Sequence, residues 1–81
     1  MKIIYLSRHA KNRMRKFGIN PGIVKKVLEK PDFVESSIKG RKNIWRKLQN
    51  KYYRVTCLEE SNKIIIITVT PKEKMPKEGR K

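Results

Sequence analysis

The chain contains one cysteine, Cys57, and one histidine, His9. A lone cysteine excludes an internal disulfide and suits a reducing cytosol, so a cytoplasmic location is expected. With one histidine beside it, a zinc site of the usual ligands has nothing to be built from. There is no glycine-rich phosphate loop and no pair of carboxylates at a catalytic spacing. No metal and no cofactor is therefore expected, and a hydrolase that depends on either device is poorly supported. Long apolar runs are also missing. The longest, Ile64-Ile65-Ile66-Ile67, has the length of a strand, far short of the roughly 20 residues of a membrane span. Met1 to Leu6 is too short an apolar stretch for a secretion signal, so neither a signal nor a membrane partner is expected.

Acidic residues are the other scarcity. Only 7 Asp and Glu stand against 22 Lys and Arg in 81 residues, a formal net charge of +15. Such a charge repels itself in the compact state and points to a polyanionic partner. The acids also fail to alternate with the bases: Glu29 is the only one from Met1 to Pro31, and none occurs from Ile38 to Val55. A surface laced with ion pairs mixes the signs, so these stretches read as faces awaiting an anion.

The length fits one domain with a modest core, placed at residues 1–71, followed by a basic, flexible tail over 72–81. Ser7 reads as the N-cap of a helix from Arg8 to Phe17, with Ala10, Met14 and Phe17 on its apolar stripe. Gly18 ends it, and Asn20-Pro21 opens a second helix whose apolar face is Ile23, Val24, Val27 and Leu28. The period then changes to two. Strands are expected at Phe33 to Ile38, Ile44 to Gln49, Tyr52 to Glu59 and Lys63 to Thr70. Turns fall at the basic segment Lys39 to Asn43, at Asn50-Lys51 and at Ser61-Asn62, and Pro71 ends the last strand, the most apolar and expected to be central. The fold class is α+β: two N-terminal helices packed on one face of a small, mainly antiparallel sheet.

Within this frame Arg54 is the sharpest single residue. A cation in the middle of a strand must face solvent or a partner, and Arg suits phosphate because its planar fork binds two oxygens at once. Trp45, Tyr52 and Tyr53 offer rings for stacking, although core packing is the plainer expectation for Trp45. His9 is the one side chain whose reference pKa lies near neutrality, which suits a general base; a structural first-turn histidine is the plainer expectation. No carboxylate stands near these residues in the sequence.

The segments Ser7-Arg8-His9-Ala10, Arg13-Met14 and Phe17-Gly18-Ile19 resemble the opening of a family of small bacterial and archaeal domains with an S-x-H-A-x-x-R-M signature and a G-I turn. Val27-Leu28, Pro31-Asp32, Gly40-Arg41, Arg54-Val55 and Ile67-Thr68-Val69 extend the resemblance to about Pro71. That family is similar to the BrnT-like and RelE/ParE-like toxins of toxin–antitoxin systems. The resemblance implies a RelE-like architecture and a toxin-like protein that targets RNA, such as ribosome-bound mRNA, as a metal-independent endoribonuclease. It also implies an acidic antitoxin as a partner. The candidate catalytic residues are then His9, Lys47 and Arg54. The candidate nucleic-acid contacts are Arg8, Arg13, Arg41, Lys42, Trp45, Arg46, Tyr52 and Lys72. Two alternatives stay open on the same charges: a non-catalytic nucleic-acid-binding module, and a toxin-like protein aimed at a protein target of the gyrase type or at an antitoxin.

Overall fold

A computed structural model describes residues 3–73. Of the expected tail, Lys72 belongs to the last strand, and residues 74–81 lie outside the described residues. The elements run β1 (Ile3–Leu6), α1 (Arg8–Phe17), α2 (Pro21–Glu29), β2 (Phe33–Ser36), β3 (Arg41–Leu48), β4 (Lys51–Glu59) and β5 (Lys63–Lys72). The strands form one five-stranded sheet in the order β1-β5-β4-β3-β2. Only β1 and β5 run parallel; the other neighbours are antiparallel. The expected α+β fold class is what forms.

The helix boundaries follow local chemistry. Ser7 Oγ accepts from the Ala10 N–H at 3.0 Å, which satisfies one orphan donor of α1. Gly18 adopts the left-handed conformation with φ of 68°. The Gly18 N–H then reaches the Arg15 carbonyl, and the Ile19 N–H reaches the Met14 carbonyl at 2.8 Å. This paired closure turns Ile19 back onto Met14 and into the core. Ile19 is 6% exposed, whereas Phe17, expected on the buried stripe, is 39% exposed with Arg13 and Lys16 over its ring. The turn and not the helix periodicity supplies the third apolar contact. For α2, Asn20 Oδ1 accepts from the Ile23 N–H at 3.1 Å, and Pro21 supplies the first helical residue.

Both helices cover the same face of the sheet. Ala10, Met14, Val24 and Val27 pack against Val55, Cys57, Ile66 and Val69 in one buried cluster. The face on the other side of the sheet carries no helix among the described residues.

The strand boundaries differ from the expectation; β2 stops at Ser36, and Ile38 opens a short 3-10 turn instead of ending the strand. β1 was not foreseen; Ile3 to Leu6 pairs with Lys63 to Ile66 and adds the parallel edge. β3 starts at Arg41, because the short turn Ile38–Gly40, with Lys39 (φ 56°) and Gly40 (φ 76°) in left-handed conformations, completes the reversal and releases Arg41 and Lys42 into the strand. The following hairpin turns on Gln49 (φ 58°) and Asn50, so Lys51 is a strand residue. β5 continues through Pro71 to Lys72. β1 ends opposite Ile66, so the far half of β5 has no strand on that side, and a proline is tolerated where no ladder donor is needed. The central strand is β4, not the more apolar β5.

One irregularity governs where β5 sends its side chains. Cys57 pairs with Ile66 but Thr56 pairs with Thr68, so Ile67 is an extra residue in β5. The bulge advances the alternation by one. Ile64 and Ile66 face the helices before it, and Val69 faces them after it. Thr68, Thr70 and Lys72 thereby join Thr56, Arg54 and Tyr52, their register partners, on the helix-free face. Ser7 pins this site: its N–H donates to the Ile66 carbonyl and its hydroxyl to the Ile67 carbonyl at 3.0 Å.

Two stability outcomes follow. Val27 is fully buried, so Val27→Asp should destabilise the domain by roughly 3–5 kcal/mol, the cost of an uncompensated buried charge. Val34→Asp, at a position 47% exposed, should leave the urea midpoint nearly unchanged. Equal midpoints for the two variants would contradict the assigned helix face. Ser7→Ala removes the α1 cap and the donor to Ile67 together and should cost about 1–2 kcal/mol in the same measurement; a shift of only a few tenths would mean that the bulge holds without it.

Candidate nucleic-acid interface

The helix-free face is built from rows of cross-strand pairs. Trp45 on β3 lies opposite Arg54 on β4, which lies opposite Thr70 on β5. The adjoining row is Lys47, Tyr52 and Lys72. On the other side comes the row Asn43, Thr56 and Thr68. Neighbours in such rows stand about 4.5–5.5 Å apart at Cβ, near enough to act on one ligand.

Trp45 is 5% exposed yet belongs to this face and not to the helix-side core. Its indole N–H donates to Glu35 Oε2 at 3.2 Å, and the Asn43 amide donates to the same oxygen at 3.2 Å. Asn43 Oδ1 in turn accepts from the Thr56 hydroxyl at 2.7 Å. This chain of bonds fixes the indole and lets it be buried without an orphan donor. The Arg54 guanidinium lies over the ring, 5.8 Å from its centroid. Trp45 is thus a floor for Arg54, and its own ring is not presented to solvent for base stacking. Lys47 lies similarly over Tyr52 at 5.7 Å. Tyr52 is half-buried, so part of it reaches solvent.

Glu35 shows what sequence distance concealed. It is far from Arg54 along the chain, but the register Glu35 to Asn43 brings it to this face. Asp32, just before β2, instead ties down the backbone of β3: its N–H donates to the Trp45 carbonyl at 2.8 Å and its carboxylate accepts from the Lys47 N–H at 2.9 Å. The available signal was Glu35 in a short strand directly before a strand rich in cations. Among the described residues Arg54 itself has neither an ion pair nor a hydrogen bond, and its Nε is buried without a partner.

The remaining candidates do not converge on this point. His9 and Arg8 are exposed in the first turn of α1, on the helix layer. Arg13 is half-buried on that helix, stacked on Phe17. Arg46 pairs with Tyr53 on the helix side of the sheet, where its guanidinium donates to the Lys30 carbonyl. Lys42 is on that side as well, ion-paired with Glu59 at 3.3 Å. Arg41 opens β3 opposite Leu58, on the helix-free face but at the far end from Lys47. Lys47, Tyr52, Arg54 and Lys72 are brought together; His9 is not brought to them. The sequence also passed over Thr68 and Thr70, whose place depends on the bulge.

Other chemistry is thinly supplied. Burial pushes the Cys57 thiol above its ordinary pKa, the Glu59 charge adds to this, and Lys42 opposes it. A buried thiol held in its neutral form is a packing group and not a nucleophile. Among the described residues no cluster of three or more His, Cys, Asp or Glu could hold a metal ion, and no helix is long and apolar enough to cross a membrane.

Comparison with known proteins places the domain but not its activity. The family described as a domain of unknown function, DUF4258, matches residues 6–71, and the chain belongs to it. The match runs from the last residue of β1 through both helices to the penultimate residue of β5, so it includes the rows described above except Lys72. No curated protein and no solved structure matches the chain.

The Glu35 bonds make a direct test of how the face is held. Glu35→Ala leaves two donors without their acceptor and should cost about 1–3 kcal/mol. Glu35→Gln retains an acceptor oxygen and should cost less. Trp45 is the only tryptophan, so its fluorescence reports both unfolding and any loosening of the indole. Identical emission and stability in Glu35→Ala and the parent would mean that Trp45 is held by packing alone.

Proposed function

We propose that the protein binds single-stranded RNA on the helix-free face of its sheet. The observation that carries this reading is the convergence of Lys47, Arg54 and Lys72 with the half-buried ring of Tyr52 in two adjoining rows. Cations that track a backbone beside a ring that accepts a base are the two requirements for single-strand recognition. The net charge of +15 supplies the long-range attraction. Arg54 suits the central phosphate contact because Trp45 supports its guanidinium and it has no ion pair among the described residues.

A second reading, cleavage of the bound strand by a metal-independent route, is favoured by the same four residues. Attack of a ribose 2′-hydroxyl on the adjacent phosphorus needs a proton acceptor, donors for the crowded phosphorane and a proton for the leaving oxygen. Lys47, Arg54, and Tyr52 or Lys72 fit those roles in that order. His9 does not join them from the helix layer. The toxin-like role, with an acidic antitoxin as silencing partner, rests on the family resemblance and on the excess of positive charge.

The test is RNA binding across a salt series. Each phosphate contact contributes about −0.7 to the log–log slope for a single strand. Arg54→Ala and Lys47→Ala should each weaken binding and flatten the slope by about one contact, while Lys25→Ala, on the exposed side of α2, should change neither. Equal losses in all three variants would reduce the face to generic charge. In a cleavage assay with and without ribosomes, Arg54→Ala should lose on the order of a hundredfold in rate; an inactive parent that still binds RNA would leave binding as the function.

A further inference from the structure

Among the described residues, three polar atoms on the helix-free face are buried without a hydrogen-bond partner: Arg54 Nε, Thr68 Oγ1 and Thr70 Oγ1. Buried polar groups are normally satisfied, and an orphan costs about 1–3 kcal/mol. These three are also neighbours. Arg54 and Thr70 are a direct cross-strand pair, and Thr68 is the next residue of β5 on the same face. The spacing is about 4.5–5.5 Å for the pair and ~7–8 Å for the diagonal, which the oxygens of one phosphate group can bridge. All three residues are half-buried, so each side chain reaches the surface in part although its unpaired atom is covered.

We infer that Arg54, Thr68 and Thr70 form a subsite for a single phosphate group. The proposal deepens the RNA-binding reading and rests on it for the identity of the natural ligand. Arg54 brings the charge and a planar fork, and the two hydroxyls donate to the remaining oxygens. Lys72, two residues beyond Thr70 on the same face, adds a second charge at the rim. The other arginines with an unpaired Nε are placed differently. Arg46 is held by the Lys30 carbonyl on the helix side, and Arg13 is stacked on Phe17 in the helix layer. Thr56 does not take part, because its hydroxyl is committed to Asn43. The bulge at Ile67 is what makes the subsite: without it Thr68 and Thr70 would face the helices.

The experiment uses the full chain, with a short single-stranded RNA and inorganic phosphate as probes. Thr68→Val and Thr70→Val remove a hydroxyl each with no change of charge and little change of shape. Each should raise the RNA Kd roughly tenfold, as for a lost hydrogen bond to a charged group. Thr70→Ser should restore most of the affinity, which separates the hydroxyl from any packing effect. In an Arg54→Ala background the valine substitutions should cost less than about twofold, because the phosphate is no longer anchored. Unchanged RNA affinity in the Thr68→Val/Thr70→Val double variant would overturn the subsite even if Arg54→Ala weakens binding.

A parent that binds no RNA at low salt would defeat the RNA reading and not the subsite. The phosphate probe then decides the latter. In NMR spectra the Arg54 Nε–H and the Thr68 and Thr70 amide signals should shift with inorganic phosphate and not with chloride at equal ionic strength. Shifts with both RNA and phosphate at these signals support a backbone phosphodiester as the ligand, and shifts with phosphate alone support a free or terminal phosphate. No shift with either probe overturns the subsite.

Discussion

Ile67 stands in β5 with no partner of its own in β4, and what the open face presents follows from that extra residue. A strand of strict alternation beginning at Ile64 and Ile66 would send Thr68 and Thr70 into the helices and Val69 into solvent. Two buried hydroxyls would then sit in an apolar core, and a valine would be lost from it. The bulge avoids both. It is held by Ser7, which gives its N–H to the Ile66 carbonyl and its hydroxyl to the Ile67 carbonyl while capping α1. The end of β1, the start of α1 and the phase of β5 are therefore one decision, made at one serine.

The second constraint is charge. With an excess of 15 positive charges, cations cannot all be dispersed among acids. The fold separates them into layers. On the helix side, Arg46 and Lys42 are engaged by the Lys30 carbonyl and Glu59. On the open side Glu35 is present, but its Oε2 is taken by the Trp45 indole and the Asn43 amide. A carboxylate that orients an indole, which in turn carries Arg54, supports the cation without pairing with it. Exposed ion pairs such as Lys63 with Glu60, at 3.5 Å, contribute little by comparison.

The helices were legible because their signals are local. Ser7, Gly18, Asn20 and Pro21 each act within a few residues of the boundary they set, through a cap, a left-handed turn or a fixed φ. The hairpin strands were legible from their alternation. β1 was not, because four residues have too little periodicity to stand out, and its partner lies sixty residues away. Phe17 misled for a related reason: the stripe at i, i+4, i+7 was right for Ala10 and Met14, but the helix stops there and Ile19 folds in instead. In the candidate site, Arg54 could be read from one strand alone. Glu35, Thr68 and Thr70 could not, since each depends on a register or a bulge between strands. Because Ile64 to Ile67 is apolar on both faces, unbroken alternation fits the sequence equally well, and the phase slip before Val69 shows only in the pairing.

The placement of His9 narrows what chemistry the domain can be asked to perform. A general base on the helix layer and a phosphate anchor on the open face cannot serve one phosphorus atom unless the chain rearranges. What the open face holds instead is a set of donors: a guanidinium, ammonium groups, a phenol and two hydroxyls. Donors of this kind recognise a phosphate in its ground state and stabilise a phosphorane with the same contacts. Binding therefore requires only that the set be open to a strand. Cleavage requires in addition that one member give up a proton in the bound complex. The two readings share the face and differ in that single proton, which is why Lys47, placed over the Tyr52 ring beside the Arg54 row, is the residue on which they divide.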